Sequence, residues 1–98
     1  PYQAEGCKSS WHLYTILIKD GKRREAYLKL KQAGIGVDVH YLPVYKHPYY
    51  QKHGYRDVKC PCAELIYDQI LSIPVFYKLT EEEQTYVIQA VRDLAEGN

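Results

Sequence analysis

Eight consecutive residues, Trp11 to Ile18 (WHLYTILI), combine aromatic and β-branched side chains and read as a β-strand. Alternation sends His12, Tyr14, Ile16 and Ile18 to one face and Leu13, Thr15 and Leu17 to the other. Both faces are largely apolar, so a sheet built on this strand needs cover on two sides. A chain of 98 residues supports one compact domain and not two. Its helices are expected to blanket one sheet face and leave little for the second. A surface from outside these residues is therefore expected to cover the remainder.

The other elements follow from punctuation and period. Residues 1–10 read as an extended lead-in. Asp20-Gly21 ends the first strand, and Asp20 is a candidate N-cap for a helix over Lys22–Ala33, where Ala26, Leu30 and Ala33 recur at helical spacing. Gly34 is a natural stop. A second strand, Val37–Leu42, is closed by Pro43. Val44–Cys60 reads as a long ordered loop with one helical turn near Tyr49–Lys52. Pro61 suits the first turn of a short helix with Ala63, Ile66 and Tyr67 inward. Ile70–Phe76 is a third strand, ending near Pro74. Thr80 and Glu83 form a T-x-x-E capping box worth about 1 kcal/mol. The helix it opens should bury Tyr86, Val87, Ala90, Val91 and Leu94, with Gly97 closing it. The order β-α-β-loop-α-β-α predicts one small three-stranded sheet with helices packed on it.

Composition removes several function classes. Thirteen Lys and Arg against twelve Asp and Glu leave a net charge of +1, without the basic surplus of a nucleic-acid binder. A single-stranded RNA reader stacking bases on Tyr14 or Tyr41 is disfavoured for the same reason. No apolar run is long enough to span a bilayer and no signal-peptide pattern opens the chain. Three cysteines in no disulfide-like layout (Cys7, Cys60 and Cys62) suggest reduced thiols and a cytoplasmic setting. The absence of methionine, even at position 1, is read as an internal start in a longer gene product.

No nucleotide-binding, hydrolase or zinc-protease motif is present. All nine lysines lie in polar or turn-like settings, whereas a Schiff-base lysine needs a desolvated one. Catalysis by this chain alone is not expected. His47, His53, Cys60 and Cys62 lack zinc-ligand spacing, and no metal site is expected. Glu81 to Glu83 complement a helix N-terminus. Arg23 and Arg24 oppose one, which suggests either an outside anion or a solvated pair. The densest polar and aromatic cluster runs from Asp38 to Tyr50. It reads as a binding edge whose histidine and phenols suit sugar hydroxyls and phosphate oxygens, or as a tyrosine-rich domain seam.

The series Gly34-Ile35-Gly36-Val37-Asp38-Val39-His40-Tyr41-Leu42-Pro43-Val44-Tyr45, Pro48-Tyr49-Tyr50-Gln51, Gly54-Tyr55, Cys60-Pro61 with Ala63-Glu64, and Leu71-Ser72-Ile73-Pro74-Val75-Phe76 with Leu79-Thr80 resembles the DegT/DnrJ/EryC1/StrS aminotransferases. The resemblance runs from about Trp11 to Leu94. It implies an α+β fold with a short antiparallel sheet, residues 1–98 being the C-terminal small domain of a fold-type I enzyme. Such enzymes use pyridoxal phosphate to move an amino group from glutamate onto a keto group of a nucleotide-linked sugar. The wording from Tyr41 to Gln51 is most like 4-aminotransferases acting on a UDP-linked 4-keto-6-deoxy-N-acetylhexosamine. Pyridoxal phosphate would be held by a large domain of the same polypeptide, and the whole enzyme would be a homodimer. His40, Tyr41, Tyr45, Lys46 and Arg23 are the implied substrate-side residues, although relatives carry a histidine where Tyr45 stands. The alternative is a free-standing α/β interaction or ligand-binding module.

Overall fold

A computed structural model of the chain describes residues 1–97. Its elements are β1 (Tyr14–Leu17), α1 (Arg23–Gln32), a 3-10 turn (Val44–Lys46), α2 (Pro48–Lys52), α3 (Pro61–Gln69), β2 (Ile70–Ile73) and α4 (Glu81–Ala95). The first ten residues are exposed and belong to no helix or strand.

β1 and β2 pair antiparallel, from Tyr14 opposite Ile73 to Leu17 opposite Ile70. The sheet has two strands and not the three expected. The segment predicted as a second strand, Val37–Leu42, is reduced to one antiparallel bridge between Asp38 and Ser72. Its two backbone bonds measure 3.1 and 2.8 Å. Two local facts stop the ladder there. In this register His40 and Gly36 would be next to pair, opposite Ile70 and Pro74. The Ile70 amide is already spent closing α3 on the Ile66 carbonyl, and Pro74 has no amide to give.

Asp20 does not cap α1, because Lys22 occupies the N-cap position and makes no side-chain cap bond. Asp20 and Gly21 instead have φ of 62° and 70°. They are the paired left-handed centre of a turn closed by Lys22 N on Lys19 O at 3.3 Å. Gly34, with φ 80°, ends the helix. Its amide bonds Lys31 O at 3.0 Å while Ile35 N bonds Leu30 O at 2.9 Å, a Schellman ending whose two apolar members are both buried. The capping box of α4 is present: Glu83 N donates to Thr80 Oγ1 at 3.1 Å and Thr80 N to Glu83 Oε1 at 3.3 Å.

The core is Ala26, Leu30, Ile35, Val37, Leu71 and Val87, flanked by Ile16, Ile18, Ile73, Ala90, Val91 and Leu94. Ile16 and Leu71 are paired and share a sheet face, so the core lies on that face. Tyr86 stays half outside, its hydroxyl donating to Ala33 O at 2.7 Å. Ala63 and Ile66 of α3, expected to point inward, are exposed, and Tyr67 is half-buried. Nothing in these residues lies over that side of α3.

The chain is thinly packed for its size. It exposes 7945 Å², where a compact monomer of 11.5 kDa exposes about 5,800 Å². Its radius of gyration is 15.9 Å against about 12.6 Å for a compact chain of this length. Part of the surplus is the lead-in. Much of the rest is apolar, including Leu17, Leu65, Ile66, Phe76 and Tyr77. No described helix is long and apolar enough to cross a membrane.

Candidate functional site

His40 lies over the sheet face opposite the core. Ser72 follows Leu71 in β2, so its side chain emerges on that opposite face. Its hydroxyl lies 2.8 Å from His40 Nδ1. His40 Nε2 lies 3.8 Å from Asp38 Oδ2, with the imidazole about one-fifth exposed and the carboxylate mostly exposed. The Tyr41 ring stands edge-on to the imidazole at 4.5 Å and is 66% exposed. Ser72, His40 and Asp38 thus form a chain of groups that sequence spacing did not announce. It is not an acyl-transfer triad. Its hydroxyl is buried beneath the histidine, so no substrate carbonyl can reach it, whereas the Tyr41 phenol faces outward. The arrangement presents an exposed tyrosine beside a partly exposed histidine on a fixed base.

Tyr45 and Lys46 converge on Glu64, in the first turns of α3. Tyr45 OH donates to Glu64 Oε2 at 2.8 Å and Lys46 Nζ lies 3.0 Å from Glu64 Oε1. The Cys60 amide donates to Glu64 Oε2 at 3.2 Å and to Tyr45 OH at 3.1 Å. The Tyr45 hydroxyl, and then Lys46, hold the Glu64 carboxyl below its ordinary value. Burial first, and then the hydrogen bond to Glu64, push the Tyr45 phenol up. Lys46 is raised by the same carboxylate. Beyond this cluster, Tyr49 stacks on His53 at 4.2 Å, and Tyr50 meets Tyr49 and Tyr55 edge-on.

Arg23 sits at the other end of α3. Its guanidinium donates to the Tyr67 carbonyl and lies 5.0 Å from the Tyr67 ring centroid. A cation that opposes the start of α1 thereby meets the negative end of α3. Of the five residues expected at the substrate side, the structure brings His40 and Tyr41 together and Tyr45 and Lys46 together, and gives Arg23 a partner of its own. Sequence reasoning missed Ser72 and Glu64 as their anchors. A lone serine inside an apolar strand is a usable signal, since a buried hydroxyl needs a partner. Nothing in the spacing singles out Glu64.

All nine lysines are exposed. The described residues contain no group of three or more His, Cys, Asp or Glu side chains placed to hold a metal ion. Cys7, Cys60 and Cys62 are free and exposed.

The model of the DegT/DnrJ/EryC1/StrS aminotransferase family matches residues 1–92. The spore coat polysaccharide biosynthesis protein SpsC of Bacillus subtilis (strain 168) is 36% identical over 103 residues, covering 99% of this chain and 26% of that protein. The UDP-4-amino-4,6-dideoxy-N-acetyl-beta-L-altrosamine transaminase of Campylobacter jejuni is 36% identical over 83 residues, covering 82% of this chain and 22% of that protein. The crystal structure of S. venezuelae DesV in complex with a ketimine intermediate superposes with a TM-score of 0.86 at 33% identity, over 98% of this chain and 26% of that one. The chain spans about a quarter of the length of the curated relatives it matches. The family model's match over residues 1–92, with relatives about a third identical along nearly the whole chain, shows that the chain belongs to the DegT/DnrJ/EryC1/StrS aminotransferase family.

Proposed function

We propose that these residues form the substrate-side part of a longer pyridoxal-phosphate-dependent enzyme that moves an amino group from glutamate to a nucleotide-linked deoxysugar. The acceptor is a keto group of the UDP-4-keto-6-deoxy-N-acetylhexosamine type, a reading supported by the similarity to the Campylobacter transaminase. The cofactor supplies the electron sink, and it is held by a large domain of the same polypeptide. The complete enzyme is a homodimer in the cytoplasm. Beyond the lead-in, the surplus over a compact monomer is largely apolar surface of the kind that a larger body covers. An apolar groove of about 500 Å³, lined by Tyr14, Ile16, Phe76, Val87, Ile88 and Val91 among others, is part of that surface.

The observation that carries the substrate-side reading is the pair His40 and Tyr41, one ring anchored on Ser72 and the other open to solvent. His40 and Tyr41 meet the sugar nucleotide, while Tyr45 and Lys46 shape the rim next to them and Arg23 acts from the other end of α3. In the full-length enzyme, His40→Ala should raise KM for the nucleotide sugar about tenfold, the worth of one good polar contact. The absorbance of bound cofactor and the half-reaction with glutamate should stay within about twofold. Equal loss of cofactor binding and sugar use would make His40 a purely structural residue.

A further inference from the structure

Glu64 ties both ends of one lobe. Tyr45 and Lys46 belong to the strand of chain entering the lobe and Cys60 to the strand leaving it, and all three meet the same carboxylate. Between them run α2 and the stacked rings of Tyr49, Tyr50, His53 and Tyr55. The Gln51 side-chain amide donates to the Tyr45 carbonyl and holds the entry strand from inside the lobe. None of the residues from His47 to Lys59 is fully buried. A segment with so little apolar anchoring owes its conformation to the polar closure at its neck. Only Leu42, Pro43 and Val44 separate Tyr41 from Tyr45, and Pro43 restricts the backbone there. Whatever fixes Tyr45 therefore also limits where the His40 and Tyr41 rings stand.

We propose that Glu64 is a positioning residue for the nucleotide-sugar side of the reaction: its carboxylate closes the neck of the 45–60 lobe and so sets the placement of His40 and Tyr41. This rests on the substrate-side reading above. Glu64 touches no substrate. It acts through Tyr45, whose hydroxyl it accepts, and through Lys46, whose charge it neutralises. Both carboxylate oxygens are used, Oε1 by Lys46 and Oε2 by Tyr45 and the Cys60 amide. A side-chain amide offers one acceptor oxygen and no charge, so Glu64→Gln keeps the shape and loses the Lys46 side of the closure together with the charge that strengthens the rest.

The test is Glu64→Gln and Tyr45→Phe in the full-length polypeptide, each read by hydrogen exchange and steady-state kinetics. Exchange at the amides of residues 45–60 should quicken about tenfold in Glu64→Gln, the Cys60 amide included, with the β1 and β2 amides unchanged. KM for the nucleotide sugar should rise about fivefold with kcat and cofactor absorbance within about twofold. Tyr45→Phe should reproduce part of both effects, and the double variant should be less than additive because the two residues share one network. Unchanged exchange in the lobe overturns the closure. Faster exchange with unchanged KM, in an enzyme where His40→Ala does raise KM, overturns the link to substrate and leaves the substrate-side reading standing. If His40→Ala also leaves KM unchanged, the substrate-side reading itself has failed.

Discussion

Replacing Ser72 by alanine tests the junction between sheet and site. Its backbone pairs with Asp38 at 3.1 and 2.8 Å, and alanine keeps both bonds. Only the hydroxyl is lost, and with it the 2.8 Å contact to His40 Nδ1. A typical intramolecular hydrogen bond is worth about 0.5–1.5 kcal/mol, and a buried partner left unsatisfied costs about 1–3 kcal/mol. Ser72 is only 5% exposed, so water does not enter to replace the hydroxyl. The imidazole retains some exposure and can turn one nitrogen outward, which moves the cost to the lower part of that range. We expect a loss of about 1–1.5 kcal/mol. With a urea m-value of about 1–3 kcal/mol/M, the midpoint of the 98-residue chain should fall by roughly 0.3–1.5 M at unchanged m. The same variant should shift the His40 ring nitrogen resonances. A cycle with His40→Ala should return a coupling of about 1 kcal/mol. A midpoint within error of the parent, together with zero coupling, would refute the argument that Ser72 holds the imidazole in place.

Thr80→Ala removes the acceptor for the Glu83 amide and should cost about 1 kcal/mol by the same urea measurement, whereas Thr80→Ser should recover most of it. The Glu64 cluster carries opposite pH signs at its two extremes. Glu64 is depressed, so its contribution is full above the ordinary carboxyl value of 4.5 and fades as pH falls through its lowered value. Tyr45 and Lys46 are raised above 10.0 and 10.5, so their contributions are full below those values and fade as pH rises through the raised ones. The protection of the 45–60 amides, taken relative to their intrinsic exchange rates, should therefore be steady near neutrality and fall at both extremes. Absorbance titration of the phenols should contain a late-ionising component that vanishes in Tyr45→Phe; its persistence in that variant refutes the assignment.

How much of this was legible in the sequence depends on whether one segment's own chemistry decides the outcome. The α4 capping box needs only Thr80 and Glu83, three residues apart, and it forms as read. The end of α1 at Gly34 and the start of α3 at Pro61 are equally local. Asp20 has the chemistry of an N-cap, but Asp-Gly serves a left-handed turn as readily, and the chain reverses there. The lost third strand turned on two amides. One is visibly missing, at Pro74; the other is consumed by an α3 closure that only the folded chain shows. The apolar α3 face was assigned inward on period alone, although no element of these residues lies there to receive it.

The site residues divide along the same line. His40 and Tyr41 stand out in a sequence because imidazoles and phenols suit sugar and phosphate groups, but their bearings lie far along the chain. Ser72 is 32 residues from His40, and Glu64 is 19 from Tyr45. Adjacent positions in β2 do opposite work: Leu71, fully buried, closes the core on one face, and Ser72 anchors the histidine on the other. A sheet of two four-residue strands has just enough length to do both. It leaves β1 as an edge, the α3 face uncovered and the 45–60 lobe hung on one carboxylate. The imidazole thus stands between two bearings: Ser72 beneath it in β2, and the Glu64 closure that reaches it through the short link from Tyr41 to Tyr45.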